Sequence, residues 1–185
     1  MKGMIFTEFL EMVEERFGLA TVEKILQQAA PENEGAYTSV GNYHHEEMVR
    51  LVVALSETTD IPTDDLLQVF GRWVFLRLFV EHYGDFFVEP GTVFEFLTGI
   101  ESYIHVEVRK LYPDAELPTF ETERVGDHGL NMVYRSTRPF AQFAHGLVLG
   151  CIEHYGENIT VEVKDLSQGQ GTSAQFVLSK EAAAA

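Results

Sequence analysis

The spacing of apolar residues changes after Pro113, and this change limits the fold more than any other feature of the sequence. Up to that residue, apolar side chains recur every three or four positions, as in helices that pack on a core. Beyond it, only residues 140–155 keep helical spacing, and the other segments alternate or are β-branched. The four predicted strands are 119–125, 129–136, 158–166 and 173–179. We therefore expect an α+β fold in which two hairpins form a four-stranded antiparallel sheet crossed by one helix.

Glycine and proline residues mark the ends of predicted helices in the first part of the chain. Gly18 ends the first predicted helix, and Pro31 ends the second. Pro62 begins the fourth, whose middle is apolar on nearly every side and should be enclosed by other elements. Gly71 in that middle predicts a close approach to the helix backbone, because glycine there costs roughly 1 kcal/mol relative to alanine. The predicted helices are 4–17, 21–29, 43–58, 63–84 and 92–112.

Charge and composition exclude several classes of partner. The net charge of −16 disfavours phosphate backbones, and the scattered basic residues form no patch, so nucleic acid is not expected to bind. No apolar run has the length of a membrane span, and the acidic N-terminal segment is unlike a signal peptide. We expect no membrane association and a cytoplasmic location. Cys151 is the only cysteine, which excludes an internal disulfide and a thiolate zinc site.

The predicted helix 92–112 sets one histidine beside an apolar stripe. The stripe consists of Phe94, Leu97, Ile100, Ile104, Val108 and Leu111. His105 falls at its edge, so its ring should point along the margin of the buried face. Such a residue is either a core histidine with backbone partners or a ligand, and the helix alone favours the first interpretation.

A second group of polar residues ends the second predicted strand. If the strand continues, Tyr134, Ser136 and Arg138 share one face and offer two hydroxyls and one guanidinium to a ligand with carboxylates. The alternative is the ordinary mixed face of a sheet edge. Together with a histidine at the rim of an apolar pocket, the group suits a flat apolar ring that carries two carboxylates and a central metal. That ligand is haem.

These residues lie in an order that resembles a known family. The chain resembles the H-NOX domains, the haem nitric oxide/oxygen binding family that includes the haem domain of soluble guanylate cyclase. The resemblance spans nearly the whole chain and rests on several motifs taken together. They are the opening MKG, FGR at 70–72, the helical His105, Pro118, and YxSxR at 134–138.

The resemblance implies a role for each matching residue. His105 would be the proximal ligand of the iron of haem b, and Pro118 would pack on the porphyrin. The haem propionates would be held by Tyr134, Ser136 and Arg138. The expected distal pocket consists of Ile5, Phe9, Val74, Leu78, Phe143 and Leu147, with Trp73 as a possible distal donor. We expect one domain over residues 1–181, with a helical subdomain at about 1–60, a haem-holding core at about 61–181 with haem between helices and sheet, and a tail at 182–185.

The resemblance also implies a function. Family members that bind oxygen have a tyrosine where this chain has Phe143, so we expect binding of nitric oxide and carbon monoxide without stable binding of oxygen. Nitric oxide would release His105 from the iron and let its helix move. The expected partner is a separate bacterial histidine kinase or cyclic-di-GMP enzyme, and no catalytic activity is expected. The alternatives are an oxygen- or redox-responsive haem sensor and a haem-free module that binds another protein.

Overall fold

A computed structural model describes residues 1–82 and 91–181. The end of the fourth predicted helix, residues 83–84, and the predicted tail, residues 182–185, lie outside the described residues. The chain divides into two compact units, Met1–Phe70 and Gly71–Ala185.

The first unit is helical. Its helices are α1 (Gly3–Phe17), α2 (Leu19–Ala29), α3 (His45–Thr59) and the first part of α4 (Thr63–Trp73). Gly18, with a φ of 84°, separates the first two helices, a backbone conformation that glycine adopts without strain. The core contains Phe6, Phe9, Met12, Val13, Ile25, Leu51 and Leu55, all fully buried. The helices predicted at 4–17, 21–29 and 43–58 are thus confirmed within two residues at each end.

The second unit begins with a helical stretch of changing pitch. The last residues of α4 continue into a π-helix, π1 (Val74–Phe79), and then into α5 (Val80–His82). After the gap come α6 (Val93–Thr98), a second π-helix, π2 (Ile100–Ile104), and α7 (His105–Leu111).

The prediction of one continuous helix over 92–112 is wrong in its middle. The amide of Tyr103 donates to the carbonyl oxygen of Gly99 at 2.9 Å, and the amide of Ile104 reaches the same oxygen at 3.4 Å. The second bond spans five residues and widens the turn before His105. The apolar stripe did not reveal this turn because one extra residue per turn displaces the stripe only locally.

The sheet confirms the predicted α+β class. Its strands are β1 (Thr119–Val125), β2 (Gly129–Arg135), β3 (Ile159–Asp165) and β4 (Ser173–Lys180), all antiparallel in the order β1-β2-β4-β3. The helix α8 (Ala141–Tyr155) lies between β2 and β3 in the chain and packs on the sheet. The register pairs Phe120 with Tyr134 and Met132 with Phe176, which brings β1 beside the polar group predicted at the end of β2.

The close approach predicted at Gly71 is confirmed. A Cβ on this residue would lie 2.1 Å from the carbonyl oxygen of Phe143 and 2.8 Å from the amide nitrogen of Leu147, both on α8. Gly150 makes the reciprocal contact, because its Cβ would lie 2.7 Å from the Cβ of Phe75. The glycines on α4 and α8 therefore let α8 and the α4–π1 segment approach so closely that their backbones are in contact.

Replacing Gly71 by valine should lower the free energy of unfolding by about 1–3 kcal/mol, because the helices must separate to admit a branched side chain. Denaturant unfolding followed by circular dichroism measures this change. Gly91→Val is a control, since within residues 1–82 and 91–181 a Cβ there would meet only the Glu95 carboxylate, at 3.4 Å. Equal stability of the two variants would contradict the backbone contact at Gly71.

Candidate functional site

His105 is the first residue of α7 and is buried, with 7% of its surface exposed. Its ring lies beside that of Phe120 on β1, with centroids 5.8 Å apart. Burial lowers the pKa of His105 below its ordinary value, although the nearby Glu101 carboxylate opposes this shift. His105 is therefore a neutral imidazole at physiological pH, which is the form that binds a metal.

A carboxylate on the preceding turn orients this imidazole. The Glu101 Oε1 atom lies 3.1 Å from the His105 Nδ1 atom and also accepts the amide of Phe120 at 2.8 Å. Since a carboxylate only accepts hydrogen bonds, the proton of the neutral ring lies on Nδ1, and Nε2 keeps its lone pair for a metal. Sequence reasoning missed Glu101, and the four-residue spacing from Glu101 to His105 on a helix was the available signal.

The three polar residues at the end of β2 come together, but by a turn instead of the predicted strand. β2 ends at Arg135, and the amide of Arg138 donates to the Ser136 hydroxyl at 3.0 Å. Tyr134 is 2% exposed. Burial raises the pKa of Tyr134, while its hydrogen bond to Ser136 and the charge of Arg138 oppose the rise. Two hydroxyls and one guanidinium therefore share one neighbourhood, which we call the donor cluster.

The guanidinium of the donor cluster already has a carboxylate partner. Arg138 forms an ion pair with Glu116, in the segment between α7 and β1. The Arg138 side chain is 17% exposed and that of Glu116 is 75% exposed. Sequence reasoning missed this partner because no spacing rule relates a loop residue to one after β2.

The donor cluster and His105 are linked through one aromatic ring. Phe120 contacts His105, and its ring centroid lies 5.6 Å from that of Tyr134. Pro118 lies two residues before Phe120 and is half-buried. The edge of the sheet formed by β1 is therefore close to His105, Pro118 and the donor cluster, all of which belong to the second unit.

The residues expected in the distal pocket are divided between the two units. Ile5 and Phe9 lie on α1 in the first unit, where Phe9 packs edge-on against Phe70 with centroids 5.1 Å apart. In the second unit, Val74 and Leu78 are buried on π1, whereas Phe143 and Leu147 are half-buried on α8. All of these side chains are apolar.

Trp73, considered as a possible distal donor, is buried at the end of α4. The Arg77 guanidinium lies over its ring, 4.9 Å from the centroid. This cation–π contact fixes the ring on one face.

The residues of the second unit fit haem by their chemistry. A buried neutral imidazole with its Nδ1 proton held by a carboxylate suits ferrous iron. Hydroxyl and guanidinium donors suit two propionates, which need a positive partner in a chain of net charge −16.

Comparison with known proteins agrees with this chemistry. A family model for haem-NO-binding domains matches residues 2–163, which is most of the chain. The class of protein is therefore a haem-binding gas-sensor domain. The chain belongs to the haem-NO-binding family, whose members are called H-NOX proteins, and this confirms the resemblance found in the sequence.

Two solved structures share this fold, and one further relative is similar in sequence. The Fe(II) unliganded H-NOX protein of K. algicida is 41% identical, with coverage of 98% of this chain and 97% of that one and a TM-score of 0.92. The IWP-051-bound H-NOX of Shewanella woodyi in the Fe(II)CO state is 40% identical, with coverage of 100% and 97% and a TM-score of 0.83. Soluble guanylate cyclase 89Db of Drosophila melanogaster is 28% identical over 140 residues, or 75% of this chain. The match spans 20% of the length of that cyclase.

In residues 1–82 and 91–181, no helix combines the length and the apolar character that crossing a bilayer requires.

Another histidine of this unit, His145, lies on α8. It stacks on Phe176 of β4, with centroids 5.8 Å apart, and its buried Nδ1 atom has no partner in the described part of the chain. Burial lowers the pKa of His145 below its ordinary value of 6.5.

We expect the protein to lose stability below a pH of about 6.5, because the unfolded chain takes up a proton at His145 before the folded chain does. The stability that the neutral His145 ring contributes is present above this pH, and it is lost as the pH falls towards the lowered folded-state pKa. Melting temperatures at neutral pH and at a pH of about 5.5 measure the loss. It should shrink in His145→Phe and persist in His128→Phe, a control at the exposed β1–β2 turn. An unchanged loss in His145→Phe would contradict the expectation.

Proposed function

We propose that the chain is a sensor of nitric oxide and carbon monoxide that binds haem b through His105 and does not hold oxygen stably. The observation that carries this proposal is the bond from Nδ1 of His105 to Glu101, since it leaves Nε2 as a ligand on a buried, neutral ring. Bound haem would supply a ferrous iron that His105 would hold and that could bind a gas.

The donor cluster would hold the propionates. Arg138 supplies the positive charge, while the hydroxyls of Tyr134 and Ser136 donate to the remaining oxygens. Pro118 would pack on the porphyrin from the β1 end of the sheet. These roles are supported by the shared neighbourhood of the cluster and its link to His105 through Phe120.

The proposed gas preference rests on the lack of a donor in the distal residues. Bound oxygen carries partial negative charge and is retained by a hydrogen-bond donor, whereas nitric oxide and carbon monoxide bind ferrous haem without one. Phe143 and Leu147 on α8, with Val74 and Leu78 on π1, offer only carbon atoms. Ile5 and Phe9 on α1 are apolar as well. We assign Trp73 a packing role beneath Arg77 and no role as donor.

Visible spectroscopy tests the proposal. The purified ferrous protein should show a haem absorption band that shifts on adding carbon monoxide or nitric oxide. The same protein in air should give no long-lived oxygen complex. A stable oxygen spectrum would contradict the proposed preference, and a colourless protein purified from haem-supplemented cells would contradict haem binding altogether.

Signalling would follow from release of His105. Because His105 begins α7 directly after the widened π2 turn, loss of the iron bond frees this helix end to shift. We propose that a separate histidine kinase or cyclic-di-GMP enzyme in a bacterial cytoplasm reads this shift, and that the chain has no catalytic activity of its own. Co-purification from the native cell, compared with and without nitric oxide, identifies the partner.

A further inference from the structure

Glu101 makes two hydrogen bonds through a single oxygen atom. Its Oε1 accepts the Nδ1 proton of His105, 3.1 Å away, and the backbone amide of Phe120, 2.8 Å away. The first partner lies at the start of α7 and the second lies on β1. One carboxylate oxygen therefore joins the helix that carries His105 to the strand beside the donor cluster.

We propose that Glu101 is a positioning residue that sets the strength of the His105–iron bond and transmits the release of His105 to β1. This inference rests on the proposed function, since it requires His105 to be the iron ligand.

The first part of the inference follows from the electronic effect of the carboxylate. A carboxylate that accepts the Nδ1 proton makes the imidazole a stronger donor at Nε2. The Glu101 side chain is 35% exposed whereas that of His105 is 9% exposed, so its charge is only partly screened at the buried ring. We therefore expect Glu101 to strengthen the iron–histidine bond and to slow its loss when nitric oxide binds.

The second part follows from the position of Glu101 in π2. Glu101 and His105 are four residues apart and move together with the helix, so a shift of His105 displaces the carboxylate as well. The amide of Phe120 is fixed in β1 by pairing with Tyr134 and cannot follow freely. Movement of the helix therefore strains or breaks the bond from Phe120 to Glu101 and changes the environment of a ring that contacts Tyr134.

The widened turn makes such movement easier. The amides of Tyr103 and Ile104 share the carbonyl oxygen of Gly99, with the longer bond at 3.4 Å. An oxygen shared between a four-residue and a five-residue bond allows the turn to change pitch without losing its hydrogen bond.

Two variants at residue 101 separate the two parts of the inference. Glu101→Gln keeps an oxygen that can accept from both partners but removes the charge. Glu101→Leu keeps the approximate size and removes both hydrogen bonds. Glu107→Gln is the matched control, because Glu107 lies on α7 and pairs with Lys110, 2.5 Å away, instead of with His105.

The test on the haem-loaded protein uses resonance Raman spectroscopy of the ferrous form, which reports the iron–histidine stretch. The stretch should fall in frequency in Glu101→Gln, fall further in Glu101→Leu, and stay unchanged in Glu107→Gln. Haem loss should be about 10-fold faster in Glu101→Leu, and the His105–iron bond should also break faster after mixing with nitric oxide.

Amide exchange of Phe120, measured by NMR on the carbon monoxide-bound protein, reports the strand contact independently. The amide should be protected in the unsubstituted protein and in Glu101→Gln, and exposed in Glu101→Leu. Because Glu101→Gln keeps the geometry, it tests the electronic effect even if Glu101→Leu does not fold.

The outcomes distinguish this inference from the proposed function. An unchanged iron–histidine frequency in Glu101→Gln overturns the electronic effect, and an unchanged Phe120 exchange in Glu101→Leu overturns the strand contact, while the proposed function stands in both cases. Absence of any iron–histidine stretch in the unsubstituted protein overturns the proposed function and this inference together.

Discussion

Replacing His105 by glycine is expected to remove the protein anchor of the iron and most of the retained haem. Loss of a hydrogen-bond partner of a metal ligand typically costs roughly 10–100-fold in affinity, and loss of the ligand itself should cost more than this range. The haem-to-protein ratio of the purified variant, taken from its absorption spectrum, measures the effect. His105 begins α7 and is buried, so circular dichroism must show that the variant still folds.

Imidazole added to His105→Gly provides the control. The free ligand should restore the haem content and the ferrous spectrum, because it occupies the space that the side chain leaves. It should not restore regulation of a partner by gas, since the iron is no longer bonded to α7. Regulation that survives in the imidazole-loaded variant would contradict signalling through His105, and full pigment without imidazole would contradict ligation by this residue.

Replacing Phe143 by tyrosine is expected to create stable oxygen binding. Phe143 is half-buried on α8, and the added hydroxyl would donate a hydrogen bond to bound oxygen. A hydrogen bond to a charged group contributes about 1.5–3 kcal/mol, which corresponds to an affinity gain of about 10–140-fold. Spectra of the ferrous variant at increasing oxygen pressure measure this gain.

Phe140→Tyr is the matched control for this substitution. Phe140 precedes α8, and its ring centroid lies 6.5 Å from that of Phe143. The control adds the same hydroxyl three residues away, outside the proposed distal pocket, and should leave oxygen binding unchanged. Equal oxygen affinities in the two variants would contradict the placement of Phe143 beside the gas.

The sequence predicted the elements of this fold well because most of them obey a single periodicity. The strand pattern from 119 onwards led to the observed antiparallel sheet, and Gly71 correctly indicated a close helix contact. The π2 turn was not predicted, since its defining feature is a backbone bond from Ile104 to Gly99 that does not depend on side-chain pattern.

The roles of the candidate site residues stay predictions, and the sequence predicted the local geometry of these residues less well than the fold. Strand alternation suggested that Tyr134, Ser136 and Arg138 share a face, whereas the structure gathers them through a turn that the Ser136 hydroxyl stabilises. The roles of Glu101 and Glu116 were not predicted, because they depend on contacts with residues distant in the sequence. One of those contacts is with a backbone amide.

The ion pair between Arg138 and Glu116 has a consequence for uptake of the cofactor. Any incoming anion meets a resident competitor at the guanidinium and must exchange with it, so the net gain is the difference between two carboxylate contacts. Because Glu116 is largely exposed, its departure into water is inexpensive and becomes easier as ionic strength rises. If Arg138 holds the propionates as proposed, loading of haem would replace one counter-ion of the guanidinium by another.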